Sequence, residues 1–258
     1  MSALDCFGLD GQVIIVTGAG KGIGRGIALD AAASGATVIG CSRTQADLDS
    51  LEAEIVALGA GSCLTFAADI ATVEGLESVY DFAERTTGRV DGVVNNAGVN
   101  VLRDAIDYSE DEVDTLLNLN LKSVYWSCVF AARGMIKAGT EGAIVNITSQ
   151  AAVMGAPGRA PYSAAKAGVN HLSRTLAAEW AGHGIRVNAL APTVTATPLG
   201  IRAMDQRPEL AAEVAQKIAL RGRAALVEEI SRPALFLLSP AASLITGQTL
   251  VVDGGWTL

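Results

Sequence analysis

The sequence predicts one doubly wound, Rossmann-like α/β domain, with a seven-stranded parallel sheet flanked by helices on both faces. Three observations lead there. Seven short runs rich in Val, Ile and Leu recur along the 258 residues, and they lack the apolar/polar alternation of half-exposed strands, as expected when both sheet faces are covered. Helical stretches separate these runs, and the order strand, helix, strand implies right-handed crossovers between parallel strands. Half of the residues are hydrophobic, 18% are charged and 5% are aromatic, which excludes disordered, collagen-like and disulfide-scaffold chains. No linker, repeat or low-complexity tract divides the chain, so residues 1–258 read as this single domain.

Taken in order, the first strand at 12–17 runs into a glycine-rich turn and a helix over 22–34. Strands at 37–41 and 63–67 lead to helices over 44–58 and 73–87. The fourth strand, 92–95, precedes one long helix over 110–138, and the fifth, 143–148, precedes a helix over 162–182 that is entered past Pro157 and Pro161. A sixth strand at 185–190 and a helix over 227–238 bring the chain to the last strand at 249–252. The region 192–223 fits least well, being Pro-punctuated with an amphipathic piece near 209–218. It follows a strand's carboxyl end, where open α/β sheets place ligands, so about 193–223 reads as a substrate-binding loop and helix.

A net charge of −8 argues against a general nucleic-acid or anionic-membrane surface. No apolar run approaches the ~18 residues of a membrane span, and the opening MSALDCFGLDGQ lacks a basic and then apolar leader, so a soluble cytoplasmic protein is expected. Cys6, Cys41, Cys63 and Cys128 lie far apart without a C-x-x-C spacing, which predicts free thiols and no metal site. His171 and His183 have no carboxylate at a meaningful spacing and read as surface residues.

The first turn reads Thr17-Gly18-Ala19-Gly20-Lys21-Gly22-Ile23-Gly24 and opens directly into a helix. Its glycines permit a tight turn and close approach to a pyrophosphate, while the helix amides and dipole attract the anion. The spacing Gly18-x-x-x-Gly22-x-Gly24 is not G-x-G-x-x-G in frame, and no Lys-Ser or Lys-Thr pair makes it a P-loop. About twenty residues further on, an acid would accept from the adenosine ribose of NAD; here the second strand ends in Ser42-Arg43, with no carboxylate before Asp47. Arg43, with Lys21, suits a 2′-phosphate, so NADP(H) is preferred over NAD(H). Asp69-Ile70, closing the third strand, falls where the adenine should lie, and Asn95-Asn96-Ala97-Gly98 supplies small residues and bracing amides after the fourth.

Tyr162 and Lys166 share one helix face at i and i+4. An ammonium and a positive nicotinamide would favour the ionised phenol and lower its pKa from ~10, the chemistry of a proton shuttle. Ser149, after the fifth strand, can hold a substrate oxygen while charge develops.

These segments together resemble the short-chain dehydrogenase/reductase family over nearly the whole chain: the glycine turn, Asn95–Gly98, Asn120-Leu121-Lys122, Ser149, Tyr162-x-x-x-Lys166, Ile185-Arg186-Val187-Asn188 with Pro192, and Asp253-Gly254-Gly255. The resemblance implies that Tyr162 is the acid/base, that Lys166 holds the nicotinamide ribose, that Ser149 orients the substrate oxygen and that Asn120, rather than nearby Asn118, fixes a water in the relay. It places Gly18, Gly20, Lys21, Gly22, Ile23, Gly24, Ser42, Arg43, Asp69, Ile70, Asn96, Ala97, Gly98, Tyr162, Lys166, Pro192, Val194 and Thr197 on the cofactor. A basic residue in the turn and Arg43 match the NADP-using branch, whereas Thr193 stands where glycine is commoner.

Ser42 to Leu51, Ser149-Gln150 and Pro192-Thr193-Val194 look like the L-xylulose (dicarbonyl) reductase subgroup. Gln150 then fits either a polyol hydroxyl or a plain loop glutamine. The expected reaction is hydride transfer between NADP(H) and a small carbonyl or secondary alcohol, a sugar, polyol or dicarbonyl. A 3-oxoacyl-carrier-protein reductase, docking its carrier on Arg133, Lys137 and Arg174, and a non-catalytic dinucleotide sensor are the alternatives. The family also implies a homotetramer built on the helices after the fourth and fifth strands, with Gly255 to Leu258 as a further contact.

Overall fold

The computed structural model describes residues 4–258. Its sheet holds seven strands in the order β3-β2-β1-β4-β5-β6-β7, every neighbouring pair parallel. The strands are β1 (Val13–Thr17), β2 (Thr37–Ser42), β3 (Ser62–Ala67), β4 (Gly92–Asn95), β5 (Gly142–Ile147), β6 (Ile185–Pro192) and β7 (Thr249–Val252). Strand order reverses between β1 and β4, and this switch point opens a crevice at the carboxyl ends of the strands.

Alternate residues of β1 feed opposite cores, as the pleat requires. Ile14 and Val16 pack with α1 (Gly22–Ala33), α2 (Gln45–Leu58) and α9 (Glu228–Leu238), while Val13 and Ile15 pack with α3 (Val73–Thr87), α5 (Ser123–Ala138) and α6 (Ala160–Trp180). Uniformly apolar strands thus follow from burial on both faces. The second core also carries a chain of polar side chains. Tyr80 meets Ser127 at 2.7 Å, Ser127 donates to Asn95, Asn95 Nδ2 donates to Asn146 Oδ1 at 2.8 Å, and Asn146 Nδ2 donates to Ser173 at 2.9 Å. Cys128 touches both asparagines, and burial pushes its thiol up to about 12. Cys41 and Cys63 are likewise buried and unbridged.

The predicted helix over 110–138 is divided. Helix α4 (Glu110–Leu117), entered through a Ser109/Glu112 capping box, and α5 are joined by a π turn at Asn118–Lys122. Helical periodicity continues across the junction, so the sequence pattern conceals one extra residue per turn. Helix α6 starts at Ala160, two residues before the expected 162, because Pro161 suits a first turn that lacks internal N–H partners. Within the poorly fitting 192–223 region, α7 (Pro198–Gln206) and α8 (Pro208–Lys217) form, each with proline at its start. Leu210, Val214 and Ile218 pack a small third cluster with Ala224 and Trp256. Trp256 is buried under Lys217, 5.6 Å from the ring centroid, while Thr257 and Leu258 after it are exposed.

Candidate active site

At the switch point the turn after β1 crosses the ends of β2, β3 and β4, and a cleft of about 530 Å³ lies over them. Gly18, Gly20, Lys21, Gly22, Ile23, Ser42, Arg43, Asp69, Ile70, Asn96, Ala97, Gly98 and Thr197 all line it. Gly24 works from beneath: a Cβ there would lie 2.4 Å from the Gly18 carbonyl oxygen, so glycine lets α1 press onto the turn. Gly18 has φ +68°, open to glycine at little cost.

Thr17, which the motif reading left out of the site, locks the turn to β4. Its hydroxyl accepts from the Asn96 and Ala97 amides at 3.0 and 3.2 Å, and Asn96 Nδ2 returns a bond to the Thr17 carbonyl at 3.0 Å. Helix α1 has no side-chain N-cap, so the orphan amides of its first turn remain as anion donors. Thr197 caps α7, accepting from Gly200 N at 3.1 Å, and its methyl closes over Gly22.

The charged residues of the cleft differ in what holds them. Lys21 is ion-paired with Asp47 at 3.0 Å, whereas Arg43 is exposed and has no ion pair or hydrogen bond among the described residues. Asp69 is exposed and its carboxylate accepts from Ala71 N at 3.1 Å. Pro192 and Val194 do not line this cleft; Pro192 pairs with β7, and Val194 packs against the third cluster.

Beside Gly98 the cleft meets the second group of residues. A Cβ on Gly98 would lie 2.6 Å from Asn120 Oδ1 and 3.5 Å from Lys166 Nζ. Asn120, fully buried within the π turn, spends its whole amide on structure: Nδ2 donates to the Val99 and Leu116 carbonyls, both at 2.9 Å, and Oδ1 accepts from Val99 N at 3.3 Å. Both amide hydrogens are therefore taken, so a water there can only donate to this residue. Ser149 Oγ accepts from Ala151 N at 3.2 Å, which leaves its hydroxyl proton to donate, here toward Tyr162.

Lys166 is buried, its Nζ 5.9 Å from the Tyr162 ring centroid and donating to the Ile147 carbonyl at 2.9 Å. With no counter-charge beside it, burial lowers its pKa to about 8. Burial raises the pKa of Tyr162, and the Ser149 hydroxyl and the Arg159 charge oppose that only in part; Lys166, turned toward Ile147, is not among the groups acting on it. Next to Ser149, Gln150 is buried and its Oε1 has no partner, and Thr193 Oγ1 at the end of β6 is likewise unsatisfied. Ile147 of β5 pairs with Leu190 of β6, so Gln150 and Thr193 stand equally far past a paired position.

A family model described as enoyl-(acyl carrier protein) reductase matches residues 18–257. The chain is 37% identical to 2-dehydro-3-deoxy-D-gluconate 5-dehydrogenase of Escherichia coli K12, with 98% of each covered. It belongs to the short-chain dehydrogenase/reductase family. L-xylulose reductase of Mesocricetus auratus is another relative, 41% identical with 96% of this chain and 98% of that one covered. Among solved structures, one described as a putative NAD(P)-dependent gluconate 5-dehydrogenase from Beutenbergia cavernae, with NADP bound at low occupancy, is 40% identical, covers 98% of this chain and 99% of its own, and superposes with a TM-score of 0.91. Both histidines of this family member are exposed, and among its described residues no group of three or more His, Cys, Asp or Glu gathers as a metal site would require.

Proposed function

We propose that this short-chain dehydrogenase/reductase is an NADP(H)-dependent oxidoreductase that interconverts a ketone and a secondary alcohol on a small polyhydroxylated substrate. The observation that carries the reading is the convergence of Ser149, Tyr162 and Lys166 beside Gly98, at the edge of a cleft whose far end carries Lys21, Ser42 and Arg43. The residues fit a dinucleotide: uncapped α1 amides suit its pyrophosphate, Ile70 and Asp69 its adenine, and Ser42 with Arg43, in place of an acid, its 2′-phosphate. Bound nicotinamide supplies the hydride acceptor or donor.

The chain's own residues handle the oxygen and its proton. Ser149 turns its hydroxyl proton from Tyr162 to the substrate oxygen, and Tyr162 gives that oxygen a proton in reduction or takes it in oxidation. Lys166, near pH 8, is poised to return the proton to Tyr162 and to hold the nicotinamide ribose. The side chain of Asn120 fixes the π turn beside Gly98, where a relay water would be held. Gln150 Oε1 and Thr193 Oγ1, buried without partners, suit substrate hydroxyls, because a site built to pair a hydroxyl penalises its absence. The gluconate- and xylulose-acting relatives agree with that chemistry. The 193–223 segment, whose Thr197, Pro198 and Leu199 line the cleft, is the part of the chain we assign to the substrate.

A carrier-protein substrate is less well supported. Lys137 is occupied by Glu84 at 2.7 Å, and Arg133 lies 13 residues beyond Asn120, about 20 Å along the helix axis and toward the amino ends of the strands. Three buried unbridged thiols fit a reducing cytoplasm. A homotetramer through α4, α5 and α6 fits the exposed Tyr125 and Ile136, and light scattering tests it. For the function itself, a panel of ketoses, dicarbonyls and acetoacetyl thioesters compared by kcat/KM should favour the ketoses. Tyr162→Phe should lower turnover by about a hundredfold to ten-thousandfold while NADPH still binds. Ordinary turnover in that variant, or a preference for thioesters, would overturn the reading.

A further inference from the structure

We infer that Asp47 is a counter-charge at the adenosine end of the cleft, which weakens the chain's hold on a 2′-phosphate and keeps NAD(H) usable beside NADP(H). The inference rests on the reading that Lys21, Ser42 and Arg43 receive that phosphate. Asp47 lies in the first turn of α2, lines the same cleft, and brings Oδ2 within 3.0 Å of Lys21 Nζ. Lys21 is 71% exposed, so burial does not force the pair.

The backbone holds the two residues together. A Cβ on Gly20 would stand 3.0 Å from Asp47 Cβ and 3.1 Å from Ser42 Oγ, so a side chain there would press both residues outward and glycine lets the turn come this close. Arg25 donates to the carbonyls of both Gly20 and Asp47, at 3.4 and 3.3 Å, tying the turn to α2. Its own charge is spent on Glu54 at 2.6 Å, so Arg25 adds no free cation to the cleft.

Two cations, Lys21 and Arg43, therefore face the incoming phosphate against one carboxylate that already holds Lys21. A phosphate carrying about −1.5 to −2 must share that ammonium with Asp47, and the two anions repel. A ribose bearing only hydroxyls meets no such repulsion. α2 has no side-chain N-cap, so the carboxylate is also the anion its dipole favours, which holds Asp47 where it opposes the ligand.

Calorimetric titration of the chain with adenosine 2′,5′-bisphosphate and with 5′-AMP reads binding without turnover. Asp47→Asn should tighten the bisphosphate about threefold to tenfold, the scale of a partly exposed charge pair, with 5′-AMP changed less than about twofold. High salt should shrink the difference. Asp47→Ser serves if the asparagine variant does not fold, with circular dichroism as the check. Unchanged or weaker bisphosphate binding in the folded variant would overturn the inference and make Asp47 inert or a support for Lys21. Arg43→Ala keeps the two readings apart. If it weakens the bisphosphate over 5′-AMP while Asp47→Asn does nothing, only the counter-charge falls; if Arg43→Ala has no effect, the phosphate site falls and the counter-charge with it.

Discussion

Lys166 is held at a cost to folding, and the cost has a pH signature. Its ammonium is buried with one carbonyl as partner, and its pKa falls from the ordinary 10.5 to about 8. Below pH 8 both folded and unfolded chains carry the proton, and the folded state bears the full burden of a desolvated charge. As pH rises through 8 the folded state releases the proton first, so the unfolded state binds more protons and stability rises until about 10.5. At 1.36 kcal/mol per pH unit the window is worth about 3 kcal/mol, of which about 2 is regained by pH 9.5.

Lys166→Met keeps the length of the side chain and removes the charge. Urea unfolding of both proteins at fixed ionic strength, followed by circular dichroism from pH 7 to 9.5, should show the unaltered chain gaining about 2 kcal/mol on the variant. The variant leaves the Ile147 carbonyl short of a donor, which shifts its whole curve but not the slope. Parallel curves would refute the argument, because they would mean that the ammonium is not desolvated.

Two further outcomes concern packing. Asn146→Leu places an apolar group of similar size among Asn95, Ser173 and Cys128 and strands their polar atoms; unfolding free energy should drop by about 2–4 kcal/mol, and an unchanged urea midpoint would contradict it. Gly24→Ala forces a methyl to within 2.4 Å of the Gly18 carbonyl, which should cost about 1–3 kcal/mol and weaken dinucleotide binding; calorimetry showing native affinity would count against the tight-turn account.

The parts of the site that depend on local chemistry were legible in the chain: glycines at Gly18, Gly22 and Gly24, the Tyr162/Lys166 spacing, and the absence of an acid at Ser42. What depends on three-dimensional choice was not. The π turn at Asn120 adds one residue to a helix whose apolar period continues on either side, so 110–138 reads as unbroken. Thr17 looks like the last residue of a strand until Asn96 folds back onto it. Lys21 had two possible partners, a phosphate and a carboxylate, and sequence separation hid how near Asp47 comes. The sense of the Tyr162 shift depended on which way Lys166 turned, and a spacing of four fixes only the face.

The bond between Asn95 and Asn146 has a consequence for strand register. Strands buried on both faces present Val and Ile to either side, so a slip by one residue would exchange one apolar contact for another at little cost. These two asparagines face each other as a paired position at the carboxyl ends of β4 and β5, and they can bond only in that alignment. A slip would carry Ser149 about 3.3 Å along the strand relative to Gly98, a full hydrogen-bond length. An amide pair sunk in the hydrophobic interior thus acts as a vernier, setting the distance between the two halves of the catalytic cleft.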